Sequence, residues 1–142
     1  MGITHSNIEL INLKDRMLAE DNHIPQDKIR KMTISMMVDS GALMLAINEN
    51  IKSQLGLVAK DKQFFTLADG QLIEMEIVGG IEVRFKNRWC TTDAVVLKGD
   101  TEPLFGALPM EAMDLVIHPT SQSLDVNPKH PYRPQHVMAG FR

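Results

Sequence analysis

The fold class this sequence predicts is mainly β, on three observations. Apolar residues recur at period two, most clearly Met32, Ile34 and Met36 against Thr33 and Ser35. Strong turn pairs, Asp69-Gly70 above all, separate the alternating runs. Helix signals are confined to two short stretches, one after Asn48 and one at Pro109. At 142 residues and 44% apolar content, the chain supports one core but not two independent lobes. Residues 1–127 read as that single domain and 128–142 as a proline-rich tail.

The opening Met1-Gly2-Ile3-Thr4-His5-Ser6 matches the permissive myristoylation pattern, but an apolar strand follows at once, and the unmodified strand is the preferred reading. Residues 32–38 alternate and then turn apolar on both faces at Met37-Val38, as a strand entering the interior does. This strand delivers Asp39 straight into a Ser40-Gly41 turn. A short helix follows, with Asn48 as its cap, Ile51 and Leu55 on one face and Gly56 as its stop. Phe64 to Leu67 and a return strand from Leu72 form a hairpin around Asp69-Gly70.

Gly79-Gly80 reads as a kink in one long strand rather than a second hairpin turn. A turn there sets apolar Ile77 beside charged Glu82, whereas a continuous strand keeps Ile73, Met75, Ile77, Ile81, Val83 and Phe85 together. Glu74, Glu76 and Glu82 then form a solvated face. The strand turns at Lys86 to Arg88, and the chain runs back from Trp89 into the buried Ala94-Val95-Val96-Leu97. After the polar loop Lys98 to Glu102 come Leu104-Phe105-Gly106, a short helix from Pro109 through Met113, and a closing hairpin of Leu115–Ile117 and Ser123–Val126 around Pro119. The tail from Asn127, with Pro128, Pro131 and Pro134, is an irregular strap or disordered.

A net charge of −3 with no basic cluster points away from nucleic acid and anionic membrane surfaces as partners. No apolar stretch approaches the roughly 20 residues a membrane helix needs, and no signal peptide opens the chain. The one cysteine, Cys90, cannot form an internal disulfide, which fits a reducing, cytoplasmic setting. It lies within a strand with no histidine placed to activate it, so it reads as a buried thiol. His5, His23, His118, His130 and His136 lack metal-ligand spacing, and neither a metal nor a cofactor is expected. Met36, Met37, Met110 and Met113 read as core.

The chemistry concentrates at Asp39. A lone carboxylate at the end of a hydrophobic strand is unfavourable unless something compensates it, and a second carboxylate sharing a proton, from another copy of the chain, would do so. Val38-Asp39-Ser40-Gly41-Ala42, the hairpin around Ala68-Asp69-Gly70, and Leu104-Phe105-Gly106 together resemble the retropepsin-like aspartic peptidases, and most closely a bacterial single-lobed group described as clan AA aspartic proteases. The stretches Ile24-Pro25 to Val38, Pro109-Met110-Glu111-Ala112-Met113-Asp114-Leu115-Val116-Ile117 and Val126-Asn127-Pro128-Lys129-His130-Pro131 are similar to that group as well.

The resemblance implies a single lobe with a flap hairpin and short helices, acting as a symmetric homodimer on an extended peptide or protein. Asp39 of each subunit would form the catalytic dyad, Ser40 would donate a hydrogen bond across the dimer, and Gly41 would let the backbone approach. Ala42 and the flap tip Ala68, Asp69 and Gly70 would contact substrate, while Leu104, Phe105 and Gly106 support the active-site loop. The chain departs from the commonest pattern at Ser40, where threonine is usual, and at Leu43-Met44, where retroviral enzymes carry an acidic clamp. A peptide-binding or dimerisation module on the same fold, without hydrolysis, is the alternative reading, and an unrelated small β-domain with a chance Asp-Ser-Gly is the third.

Overall fold

A computed structural model describes residues 3–138 of the chain, so Met1, Gly2 and tail residues 139–142 lie outside the described residues. The element order is β1 (Thr4–Asn12), α1 (Leu13–Glu20), β2 (Lys31–Val38), β3 (Leu45–Asn48), α2 (Glu49–Leu55), β4 (Val58–Thr66), β5 (Leu72–Phe85), β6 (Arg88–Leu97), β7 (Leu104–Phe105), α3 (Ala107–Ala112), β8 (Leu115–Ile117) and β9 (Leu124–Val126). The chain is mainly β. One mixed sheet runs β1-β2-β7-β3-β6-β5-β4, and β1 also pairs with β5, closing six strands into a ring with β4 at its free edge. The pairs β2–β7 and β3–β6 are parallel, and β8 and β9 form a separate hairpin.

Strand alternation divides the side chains between two clusters. The main core joins Ile8, Leu10, Met36, Leu45, Ile47 and Phe105 to Leu55 of α2 and to Met113, just beyond α3. On the opposite face Ala46, Ile77 and Val95 pack with Met44, Phe65, Met75, Leu97 and Leu104. α2 forms as its sequence predicts: the Asn48 side chain accepts from Ile51 N at 3.0 Å, Ile51 and Leu55 are buried, and Gly56 ends the helix at φ 64°. The Asp69-Gly70 hairpin and the two-residue turn between Phe85 and Arg88 are also present.

Four expectations need correction. β5 does run unbroken through Gly79-Gly80, but its register with β6 passes from Val78↔Ala94 to Ile81↔Thr92, one extra residue on β5. Such a bulge reverses the alternation, so Ile77 joins the second cluster while Ile81 and Val83 join the main core. Glu82 is therefore buried rather than solvated, paired with Arg16 at 2.7 Å and Arg84 at 2.5 Å. α3 begins at Ala107, two residues before Pro109, with Gly106 as its cap. Met37 is only half-buried, whereas Met36, Met110 and Met113 are core.

Local sequence patterns did not mark β3 or α1. The Asn12 side chain caps α1 by accepting from Asp15 N at 3.0 Å. The Asp15 carboxylate in turn accepts from Arg30 N, Nε and Nη2 at 2.8–3.0 Å. Hydrogen bonding to Arg30, against the opposing effect of burial, holds Asp15 below its ordinary pKa.

The tail is a strap. Asp114 accepts from His130 Nδ1 at 2.7 Å, from Asn127 Nδ2 at 3.1 Å and from Gln135 N at 3.1 Å. Arg88, fully buried at the start of β6, donates through Nη2 to His130 O at 2.5 Å, and Asn87 donates to Pro131 O at 2.8 Å. Burial raises the Asp114 pKa, but the hydrogen bonds from Gln135, Asn127 and His130 outweigh it and bring the group down to about 2. A carboxylate with a depressed folded pKa stabilises fully above its unfolded value and loses that contribution as pH falls through the folded one. The Gln135 amide resonance should therefore titrate near pH 2 with release of the strap. Asp114→Asn, which removes the charge, should speed tryptic cleavage after Lys129 already at neutral pH; unchanged cleavage would show that Asp114 does not hold the tail.

Candidate functional site

The site is built where β2 ends. Parallel pairing sets Met37 beside Leu104 and Val38 beside Phe105, and the backbone bonds run from Met37 N to Pro103 O (3.1 Å) and from Asp39 N to Phe105 O (3.0 Å). The chain then turns, with Ala42 N donating to Asp39 O at 3.1 Å and Gly41 N donating to Asp39 Oδ1 at 2.9 Å. The first amides of α3 complete the clamp: Ala107 N donates to Ala42 O at 2.7 Å and Leu108 N to Leu43 O at 2.9 Å. The loop 39–43 is thus fixed by main-chain bonds at both ends, which any sequence could supply provided the backbones come close enough.

Gly106 provides that closeness. A Cβ there would lie 2.4 Å from Met44 O and 2.7 Å from Ala42 O, both backbone atoms that cannot swing away. Phe105 beside it is fully buried and anchors the second chain in the main core, while Leu104 points to the second cluster. Asp39-Ser40-Gly41 and Leu104-Phe105-Gly106 are therefore brought together. Asp39 is half-buried; Ser40 and Gly41 are exposed, and Ala42 is half-buried beneath the turn.

Asp39 and Ser40 line a cleft of about 440 Å³. Its other walls are Met37 and Val38, Ile3 just before β1 and Thr4 at its start, and Ile117, His118, Pro119 and Gln122 around the β8–β9 turn. Thr4 Oγ1 donates to Gln122 O at 2.7 Å, which ties the two outer walls together. No local sequence signal marks these outer residues, because they meet Asp39 only through tertiary contact. Among the described residues that line the cleft, Asp39 is the one carboxylate.

The hairpin tip stands elsewhere. Ala68, Asp69 and Gly70 are exposed and are not among the cleft's walls. Asp69 Oδ1 accepts from Gln71 N at 2.9 Å, and Leu67 N donates to Gln71 O at 2.8 Å, so the Asp69 carboxylate is used in shaping the turn. Strand alternation nonetheless puts Met37 and Asp39 on the sheet face of the second cluster, which reaches Met75 and, close to the turn, Phe65 on the hairpin.

Cys90 is buried in the core, and burial pushes its thiol up to about 11, which leaves negligible thiolate at neutral pH. Among the described residues no group of three His, Cys, Asp or Glu side chains is placed to hold a metal ion, and no helix is long and apolar enough to cross a membrane. No protein-family model matches the chain, and no curated protein matches it either.

The two glycines of the site should respond differently to alanine. Gly106→Ala must displace backbone, with an expected loss of about 2 kcal/mol or more, together with loosening of loop 39–43. Gly70, at φ 84° with open space around it, carries only the cost of a left-handed residue, about 1 kcal/mol. Chemical denaturation of the two variants checks the order; equal losses would mean that the Gly106 contact relaxes freely.

Proposed function

We propose that this protein is a retropepsin-type aspartic endopeptidase whose catalytic centre is completed by a second copy of the chain. One observation carries the reading: a single half-buried carboxylate, Asp39, stands on a loop held rigid by main-chain bonds to Phe105, Ala107 and Leu108, with no second acid in its cleft among the described residues. Amide hydrolysis needs both a base to activate water and an acid to polarise the carbonyl. Two carboxylates in contact, about 3 Å apart, hold one proton between them and supply both, as in the general case of aspartic proteases.

Around a two-fold axis through the exposed Ser40-Gly41 corner, one Asp39 takes a proton from the attacking water while the other donates to the carbonyl oxygen. The roles then reverse as the tetrahedral intermediate collapses and the leaving nitrogen is protonated. Both titration steps belong to the pair, not to either residue. The main-chain clamp matters here because a carboxylate must be held to within a fraction of an ångström to act in both senses. The exposed β4–β5 hairpin serves as the flap that covers an extended substrate and excludes water.

Leu43, 62% exposed where an acidic clamp is usual, favours a second reading in which the same dimer grips a peptide without cutting it. Cleavage of a peptide library decides between them. Asp39→Asn should lower the rate by about 10³-fold or more, and mixed dimers of wild-type and Asp39→Asn chains should be as inactive as the variant. Specific activity should fall on dilution as monomers form. Cleavage that survives Asp39→Asn, or a mixed dimer with half the wild-type rate, would contradict the shared dyad.

A further inference from the structure

β5 and β6 are paired from Phe85↔Arg88 as far as Ile77↔Val95, and there the pairing stops. Beyond it, β5 residues 72–76 remain bonded to β4 alone, while β6 turns off after Leu97 into the Lys98–Thr101 loop. The separating chains enclose a cleft of about 360 Å³ along the hairpin, from Glu76 at its root to Leu67 beside its turn, distinct from the one beside Asp39. Its apolar wall is Leu67, Ile73, Met75 and Leu97. Met75 and Leu97 belong to the second cluster, with Ala46 and Leu104, so this wall continues the sheet face that ends at Asp39.

The rim is acidic. Glu76 is matched by Lys52 at 2.8 Å. Glu49 and Glu74 have no ion-pair partner among the described residues; Lys98 is the one cation among the residues lining the cleft, while Lys62 stands behind it on β4, opposite Glu76. The cleft therefore offers an open strand edge, an apolar wall and a net negative rim. An open edge takes main-chain hydrogen bonds from an added strand, and alternate side chains of that strand fall into the pocket beside it. By strand alternation Ile73 and Met75 lie on one face of β5 and Glu74 on the other, so an added strand of alternating character sets apolar side chains against the wall and cationic ones at the rim.

We propose that this cleft binds an extended peptide segment in which apolar residues alternate with lysine or arginine, the apolar side chains against Ile73, Met75 and Leu97 and the cationic head groups at Glu49 and Glu74. Resting on the function proposed above, the segment belongs to the polypeptide that Asp39 cleaves, so substrates are basic at a position removed from the scissile bond.

The test uses full-length Asp39→Asn protein, which does not consume its ligand, and fluorescence polarisation at low salt. Capped, labelled Val-Lys-Val-Lys-Val is compared with its norleucine and glutamate analogues and with the amide of a single lysine. The lysine peptide should bind about fivefold tighter than the norleucine peptide, the size expected of two exposed ion pairs. Glu49→Gln with Glu74→Gln should erase most of that gap, and Lys98→Gln should widen it by about twofold. Equal binding of the norleucine peptide, or a gap that survives the double variant, overturns the proposal. Equal binding of the single lysine amide overturns the extended-segment part. If wild-type protein cuts nothing yet this charge preference holds, the hydrolytic reading fails and the cleft stands; if it cuts peptides without the preference, the cleft proposal fails and hydrolysis stands.

Discussion

The parallel contact between β2 and β7 underlies the rest of the site. Two short apolar chains meet in the interior, and the loop that follows each one is bonded to the other. Asp39 N reaches Phe105 O, and Ala107 N and Leu108 N reach back to Ala42 O and Leu43 O. Nothing in this clamp is a side-chain interaction, so it holds only if the backbones touch. Gly106 is the residue that lets them, and Phe105, with no exposed surface, keeps β7 from sliding. The contact turns a flexible acidic turn into a fixed carboxylate, which is the first requirement for any chemistry at Asp39.

Around that contact the sheet closes on itself, and closure explains where buried charge appears. β1 pairs with both β2 and β5, which leaves β4 as the free edge and seals the other six strands. Elements outside the ring are fastened by carboxylate–arginine groups: Asp15 with Arg30 between α1 and the approach to β2, Glu82 with Arg16 and Arg84 over β5, and Asp114 near Arg88 at the strap. In the first two of these groups the carboxylates are buried but Arg16, Arg30 and Arg84 are a third to a half exposed, so solvent screens the attraction, and removing an arginine costs less than breaking a fully buried pair. These groups therefore set which segment lies where more than they add to stability.

The two clefts lie where regular pairing gives out. One opens beside Asp39 between the N-terminal strand and the β8–β9 turn, and the other opens where β5 leaves β6. The face that joins them is the apolar second cluster, thinner than the main core and half-exposed at Met44, Met75, Leu97 and Leu104. An extended chain lying along that face would cover it.

Local features were legible from short stretches of residues. Alternation at 32–38, the Asn48 cap with its Gly56 stop, the hairpin at Asp69-Gly70 and the Lys86-Asn87 turn each follow from a few neighbouring residues, and each is present. Asp39-Ser40-Gly41 stood out in the same way, as an acidic turn at the end of an apolar strand, whereas Leu104-Phe105-Gly106 stood out only through the resemblance its motif carries. Features that rest on distant partners were not legible. The bulge at Gly79-Gly80 depends on the register of β6, and the burial of Glu82 on two arginines; the docking of α1, though not its local Asn12 cap, rests on Arg30 reaching Asp15. The walls of the Asp39 cleft and the open edge of β5 exist only once the sheet has closed. Short-range backbone preference chose the elements; long-range packing decided which of their faces meet, because a one-residue shift in a strand sends every side chain to the other side.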